Sequence, residues 1–282
     1  MRLFIYIMIL LSSAPLLFAD DFINDPEPVI LEVHYSRHAV NDTTMRETRF
    51  RKDPVMLRIG KTKSLFCGSQ NLWKDSIMTV DPAAFFAIDR ARIEKDPTGS
   101  EILGGYYWDY IYKNYPEGKL TLTSYFDMED WRYEEDWEKP EWEIGDSTRT
   151  ILGYECIQAF SYFRGRRWIA WFTPEIPIQE GPWKLCGLPG LILEAYDANM
   201  DYSFTPTALV ANTGTMVGFH TYRERRGVTK VSRDKFLNNW WRYKHSDSGA
   251  KIRAAYGHGP EVSATKRTVN YDNEETDYPH DL

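Results

Sequence analysis

Short runs of aromatic and β-branched residues, cut at close intervals by turn-forming residues, leave this chain few folds other than an antiparallel sheet. Residues 54–59 and 63–67 flank Gly60 and Lys61, a hairpin signal. Residues 106–112 and 119–126 flank Pro116, Glu117 and Gly118 in the same way. Further strands are predicted over 29–33, 150–163, 166–172, 191–196 and 202–210, with Arg164 and Gly165 turning one hairpin. Aromatic residues make up 15% of the chain, which favours strands over helices.

Two segments break the pattern. In 69–95, Asp81 is placed to cap a helix that opens at Pro82, with Phe85, Phe86, Ile88 and Ile93 at roughly helical spacing. Ser232 caps a second, whose Phe236, Leu237, Trp240 and Trp241 share one face. The expected fold is therefore α+β: a curved, mainly antiparallel β-sheet, half-barrel-like, with one or two helices packed on it. Such half-barrels suggest, by analogy, a carrier of lipoproteins or apolar ligands.

The first residues read as an export signal. Arg2 is followed by an apolar run over 3–11, a break at Ser12, Ser13 and Pro15, and a small residue, Ala19, before Asp20. The run is shorter than the ~20 apolar residues that an anchor needs. Cleavage after Ala19 is expected, leaving one β-rich domain over 20–282 in the periplasm or outside the cell. No later segment is long and apolar enough to span a membrane. The net charge of −7 argues against nucleic acid as a partner. Arg164, Arg166 and Arg167, and Arg223, Arg225 and Arg226, form short basic clusters that read as solvated turns. Residues 127–143 carry nine Asp or Glu and read as an exposed loop and strand edge. Residues 270–282 are expected to form an acidic exposed tail.

One block is denser in particular residues than its surroundings. Gly153, Tyr154, Cys156 and Trp171 precede Gly181, Pro182, Trp183 and Lys184, and then Gly187, Leu188, Pro189, Gly190, Leu191, Ile192 and Leu193. In that order they resemble the GLPGLI family of exported proteins, found chiefly in Bacteroidetes. The resemblance spans about 146–197 and implies an exported envelope protein; it implies no activity, because the family is defined by sequence and not by a reaction. Physically, Pro189 and Gly190 suit a type II turn with Gly190 at positive φ, which seats a buried strand beginning at Leu191. Alternatively the loop, with Trp171, Trp183 and Lys184, forms the lip of a binding pocket. Three cysteines in an oxidising compartment allow one pair. Cys156 and Cys186 lie in this block and are expected to pair, closing a loop worth roughly 3 kcal/mol. Cys67 is left over as a small buried residue.

No nucleophile elbow, zinc-protease signature or phosphate loop is present. His34, His38, His220, His245, His258 and His280 are scattered, so no metal site, cofactor or catalytic residue is indicated. The expected role is a non-enzymatic binding or carrier-like envelope protein for an apolar ligand or a polypeptide partner. The alternatives are a secreted hydrolase, recognisable by a cleft of convergent polar groups, and a purely structural component.

Overall fold

The computed structural model describes residues 22–40, 42–96, 105–224, 227–246 and 273–279. The signal segment, Arg225, Arg226, His258 and His280 lie outside the described residues. The chain forms β1 (Ile23–Pro28), β2 (Leu31–Val40), β3 (Phe50–Ile59), β4 (Ser64–Gly68), α1 (Ser69–Val80) and α2 (Pro82–Lys95). Next come β5 (Tyr110–Lys113), β6 (Lys119–Phe126), β7 (Glu129–Asp136), β8 (Glu143–Ile151), β9 (Tyr154–Phe163) and β10 (Arg166–Thr173). β11 (Leu191–Asp197), β12 (Tyr202–Ala211), β13 (Met216–His220), β14 (Thr229–Lys230) and α3 (Arg233–Lys244) complete it.

Twelve strands make one open, curved sheet in the order β14-β7-β6-β5-β4-β3-β2-β12-β11-β10-β9-β8, and β1 pairs with β13 in a small second sheet. Every pairing is antiparallel except that of β14 with β7. The α+β expectation holds, and the sheet does not close into a barrel. Its tight turns follow from local chemistry. Arg164 and Gly165, the expected hairpin turn, both have positive φ (55° and 80°), as the right-handed twist of the flanking strands requires. Leu152 and Gly153 make the same turn between β8 and β9. Exposed β8 ends the sheet, with Glu143, Asp146 and Arg149 along it, charges that discourage pairing with another chain.

The segment over 69–95 holds two helices, one more than expected. A residue before proline is pushed out of the α region, so α1 stops before Asp81 (φ −143°, ψ 78°) and α2 restarts at Pro82. Asp81 accepts from the Ala84 N–H at 2.9 Å, and Ser232 caps α3 from Lys235.

Period-2 alternation buries both faces. One face carries Val33, Tyr35, Val55, Leu57, Phe66, Ile111 and Leu122 into the main core with Trp168 and Trp183. The other carries Met56, Leu65, Cys67, Tyr110 and Tyr112 under α1 and the small sheet. At one end of the main face the loop between β10 and β11 folds inward; at the other, α3 packs Phe236 on Tyr133 and Phe126, ring centres 4.9 and 5.3 Å apart.

Several expectations are corrected. Cys156 and Cys186 do not pair: all three cysteines are buried and free. Cys156 sits on β9 near Arg149 and Glu175, whereas Cys186 lies in the inward loop near Trp137, Lys139 and Lys113. The described part of the acidic end, residues 273–279, is not an exposed tail, because its charges have partners. Glu274 and Glu275 are buried, the first against Arg37, the second against Lys184 and Arg233. Each basic cluster has an arginine that is not solvated, although Arg167 is exposed as expected. Arg166 is buried on Asp197, and Arg223 on Asp75 and Asp130. Within 127–143, β7 buries Asp130, Arg132 and Tyr133 and is covered at its edge by the two-residue β14. Gly190 does not adopt positive φ; Gly187 does, at 91°. Glycine is needed at 190 for another reason: a Cβ there would lie 2.2 Å from the Thr173 carbonyl oxygen.

Candidate functional site

Most of the motif residues are interior. Trp183, Cys186, Leu188, Leu191 and Ile192 are buried in the core, Pro189 is exposed, and Gly181 packs where a Cβ would meet Ile192. Gly153 lies in the exposed β8–β9 turn, Tyr154 packs half-buried against the core, Pro182 is buried, and Trp171 carries the Arg149 guanidinium 4.1 Å above its ring. The loop is wound around a lysine that sequence reading missed. Lys113, on β5, is 0% exposed and donates from Nζ to Glu180 (2.7 Å), the Gly181 carbonyl (2.7 Å) and the Leu185 carbonyl (3.3 Å). Lys184, 1% exposed, donates to the Tyr133 hydroxyl at 2.7 Å and to Glu135 at 2.6 Å, and pairs with Glu275 at 2.7 Å. A buried ammonium is tolerated only when so surrounded.

None of these motif residues lines a cleft of about 400 Å³ at the opposite end of the main face. It arises where each apolar row turns polar at the same level. In register, Val33 faces Leu57, Tyr35 faces Val55, and then Arg37 faces Asp53. On β5 and β6, Ile111 faces Leu122, and beyond them come Asp109 and Ser124, which hydrogen-bond. α3 closes one side with Trp240, Tyr243 and Lys244, and the segment at 273–274 another.

Arg37 is the fixed charge at this level. It donates from Nε to Glu274 at 3.0 Å and from Nη1 to Asp53 at 3.3 Å, with its guanidinium 4.7 Å above the Tyr107 ring. Burial alone would lower its pKa, but Glu274, Tyr107 and Asp53 raise it above the ordinary value, so it stays charged. Asp109 is pushed up to about 6, by burial first and by the Glu274 charge, against the Ser124 hydrogen bond and the arginines. Lys244 is lowered to about 8, by burial and then by Arg51 and Arg37. Tyr107 is buried, and its hydroxyl has no hydrogen-bond partner among the described residues. Around the rim, cations lie on aromatic faces: Arg51 on Tyr106 at 4.3 Å, Lys74 on Trp108 at 3.8 Å, and Lys244 on Trp240 at 5.0 Å.

The cleft therefore offers flat aromatic surfaces, both signs of charge, an unpartnered hydroxyl, and a carboxyl that exchanges its proton near neutrality. Among the described residues no cysteine or histidine lines it. The strand pattern did contain a signal for it. Arg37, Asp53 and Ser124 are polar residues standing at core positions of otherwise apolar alternations.

Residues 164–194 match the family model described as a protein of unknown function (Porph_ging). That stretch runs from the Arg164–Gly165 turn through the inward loop into β11. No curated protein matches the chain. Two structures of PNGF-II, in the P21 and C2 space groups, align with it at 13% identity and a TM-score of 0.46. Each alignment covers 76% of this chain; it covers 34% of the first PNGF-II chain and 33% of the second, so this chain spans about a third of their length.

Proposed function

We propose that the chain is an exported envelope protein that binds a segment of polypeptide in the cleft between the sheet and α3. The observation that carries this reading is the pairing of the unsatisfied Tyr107 hydroxyl and the Asp109 carboxyl on the wall with aromatic faces and cations at the rim. A hydrocarbon ligand would leave the Tyr107 hydroxyl dry and unpaired, at a cost of about 1–3 kcal/mol. A peptide brings an N–H and a C=O with every residue and side chains for the rings. The cleft volume falls in the range of sites that enclose a small ligand or a few residues. Export is supported by the segment over 1–19 and by the GLPGLI resemblance; the amino-terminus of protein recovered from the native cell tests it, and any start other than Asp20 refutes the cleavage.

The binding test is selection of displayed twelve-residue peptides on the purified protein, followed by calorimetric titration of the selected sequences. Tyr107→Phe and Arg51→Ala are expected to weaken binding about tenfold each, with unchanged melting. Peptides that bind both variants as tightly as the parent protein would place the site elsewhere.

One observation favours a second reading. A carboxyl with a pKa near 6 on a cleft wall is suited to general acid–base work, which fits a hydrolase. Turnover whose pH profile breaks near 6, and loses that break in Asp109→Asn, would establish it. Hydrolysis that persists unchanged in that variant would reject it.

A further inference from the structure

We infer that a second cavity, on the face of the sheet opposite the cleft, is a binding site for an uncharged, mainly apolar small molecule carrying one hydroxyl head group. The cavity, about 270 Å³, lies between α1, β3 and the small β1–β13 sheet. Its walls are mainly apolar, including Ile23, Met56, Leu72, Met216 and Tyr222, and Ser69, Ser76, Thr215 and Arg58 also line it.

The residue that specifies the ligand is His220, at the end of β13. It is 5% exposed, it lines this cavity, and neither ring nitrogen has a hydrogen-bond partner among the described residues. Rings of Tyr110, Tyr112 and Tyr222 surround it, with centroids 6.3, 6.5 and 4.9 Å away. Leaving buried polar atoms unpaired is costly, and native proteins seldom do so without a reason. Burial keeps the imidazole neutral, with a pKa lowered to about 3 by desolvation and by Arg58. A neutral imidazole has one donor nitrogen and one acceptor nitrogen. A hydroxyl both donates and accepts, so it pairs with whichever nitrogen faces it, in either tautomer.

A charged ligand fits less well. Arg58, the one cation in the wall, is engaged by Glu32 at 2.7 Å, and Arg223, bound through Nε to Asp75 at 3.1 Å, does not line this cavity. An ammonium would meet the Arg58 charge, and a carboxylate would have to compete with Glu32 for it while losing its water. An apolar cavity of about 150 Å³ takes up benzene, so this one has room for a two-ring compound.

The test uses 2-naphthol as the probe, with naphthalene as the comparator, titrated calorimetrically into the full chain. The imidazole nitrogens of His220 are followed by long-range ¹H–¹⁵N NMR. Binding of 2-naphthol is expected to shift the His220 nitrogens. His220→Phe, which keeps an aromatic ring, is expected to weaken 2-naphthol about tenfold and to leave naphthalene unchanged. Ser76→Phe, at a half-exposed position, should block both. Undetectable binding, unmoved His220 resonances, or equal affinity of 2-naphthol for His220→Phe would each overturn the inference.

Discussion

Replacing Lys184 by methionine tests whether the carboxy-terminal segment is held by buried charge. The ammonium touches Glu135 at 2.6 Å, Glu275 at 2.7 Å and the Tyr133 hydroxyl at 2.7 Å. Removing one member of a buried ion pair costs about 3–5 kcal/mol, because the other charge stays behind. Here the carboxylates keep partial company: Arg233 remains 2.6 Å from Glu275, and Arg164 2.9 Å from Glu135. Methionine also fills most of the volume, so little cavity cost is added. The expected loss is therefore about 3 kcal/mol, at the low end of the range. For a chain of this size it lowers the melting temperature by roughly 6–12 °C. Urea titration should show the midpoint move with little change in slope. Adding Glu275→Gln to Lys184→Met removes the stranded charge, so the double variant should be less destabilised than the sum of the two single ones. Burial alone would raise the Glu275 pKa, but Lys184 and Arg233 hold it below the ordinary 4.5. Its contribution is thus complete above about pH 4.5 and is lost as pH falls through the lower folded value. Lys184→Met should flatten that acid limb. A loss under about 1 kcal/mol, or strict additivity in the double variant, would refute the reasoning.

Gly190→Ala drives a Cβ to 2.2 Å from the Thr173 backbone oxygen; backbone cannot step aside as a side chain can, and a loss at or above the usual 1–3 kcal/mol of overpacking is expected in thermal melts. The three buried thiols, with pKa values pushed up to about 12 for Cys67 and about 11 for Cys156 and Cys186, should all resist a thiol reagent at pH 8 in the native protein and all react in denaturant; two unreactive thiols after denaturation would reveal a disulfide. His220 is held neutral in the fold, with a pKa near 3 against an ordinary 6.5, so the unfolded chain binds the extra proton and stability falls as pH drops from about 6.5 towards 3. His220→Phe should remove that part of the acid sensitivity, read as a smaller drop in urea midpoint between pH 7 and pH 5.

The sheet was legible because its signals are local. Gly60 and Lys61, Pro116 to Gly118, and Arg164 and Gly165 mark turns by what each backbone must do there, and the structure has hairpins at all three. Asp81 and Ser232 announce helix starts by the hydrogen bond that each can make. The first helix was missed: Leu72 is its one buried large apolar side chain, while Trp73 is exposed. The cleft was illegible for a different reason. Arg37, Asp53, Asp109, Ser124, Lys244 and Glu274 come from six separate segments; strand register brings the first four to one level, and α3 and residues 273–274 close over them. The acidic end misled because composition counts charges and says nothing of partners. Stretches rich in Asp and Glu read as solvated unless the arginines and lysines that bury them, here on β2, in the inward loop and on α3, are known.

The motif block and the cleft, at opposite ends of one core face, are joined through two neighbouring residues. Glu274 clamps Arg37 on the cleft wall, and Glu275 clamps Lys184 in the motif loop. Arg166, next to the expected hairpin turn, holds the same segment through the Asn273 carbonyl at 3.0 Å and 2.6 Å. The conformation of the cleft therefore depends on a loop that contributes no atom to it. This gives the interior lysine a consequence that a purely packing residue would lack. Removing one of the two cations on Glu275 in Lys184→Met leaves Arg233 as its sole hold, weakens the anchoring of the chain beside Glu274 and Arg37, and gives the Tyr107 ring beneath that guanidinium more freedom. Loss of peptide affinity in Lys184→Met, beyond that in an equally destabilised variant of the opposite face such as Leu65→Ala, is the expected result. Equal affinity in the two variants would separate motif from site and reduce the block to a means of filling the core.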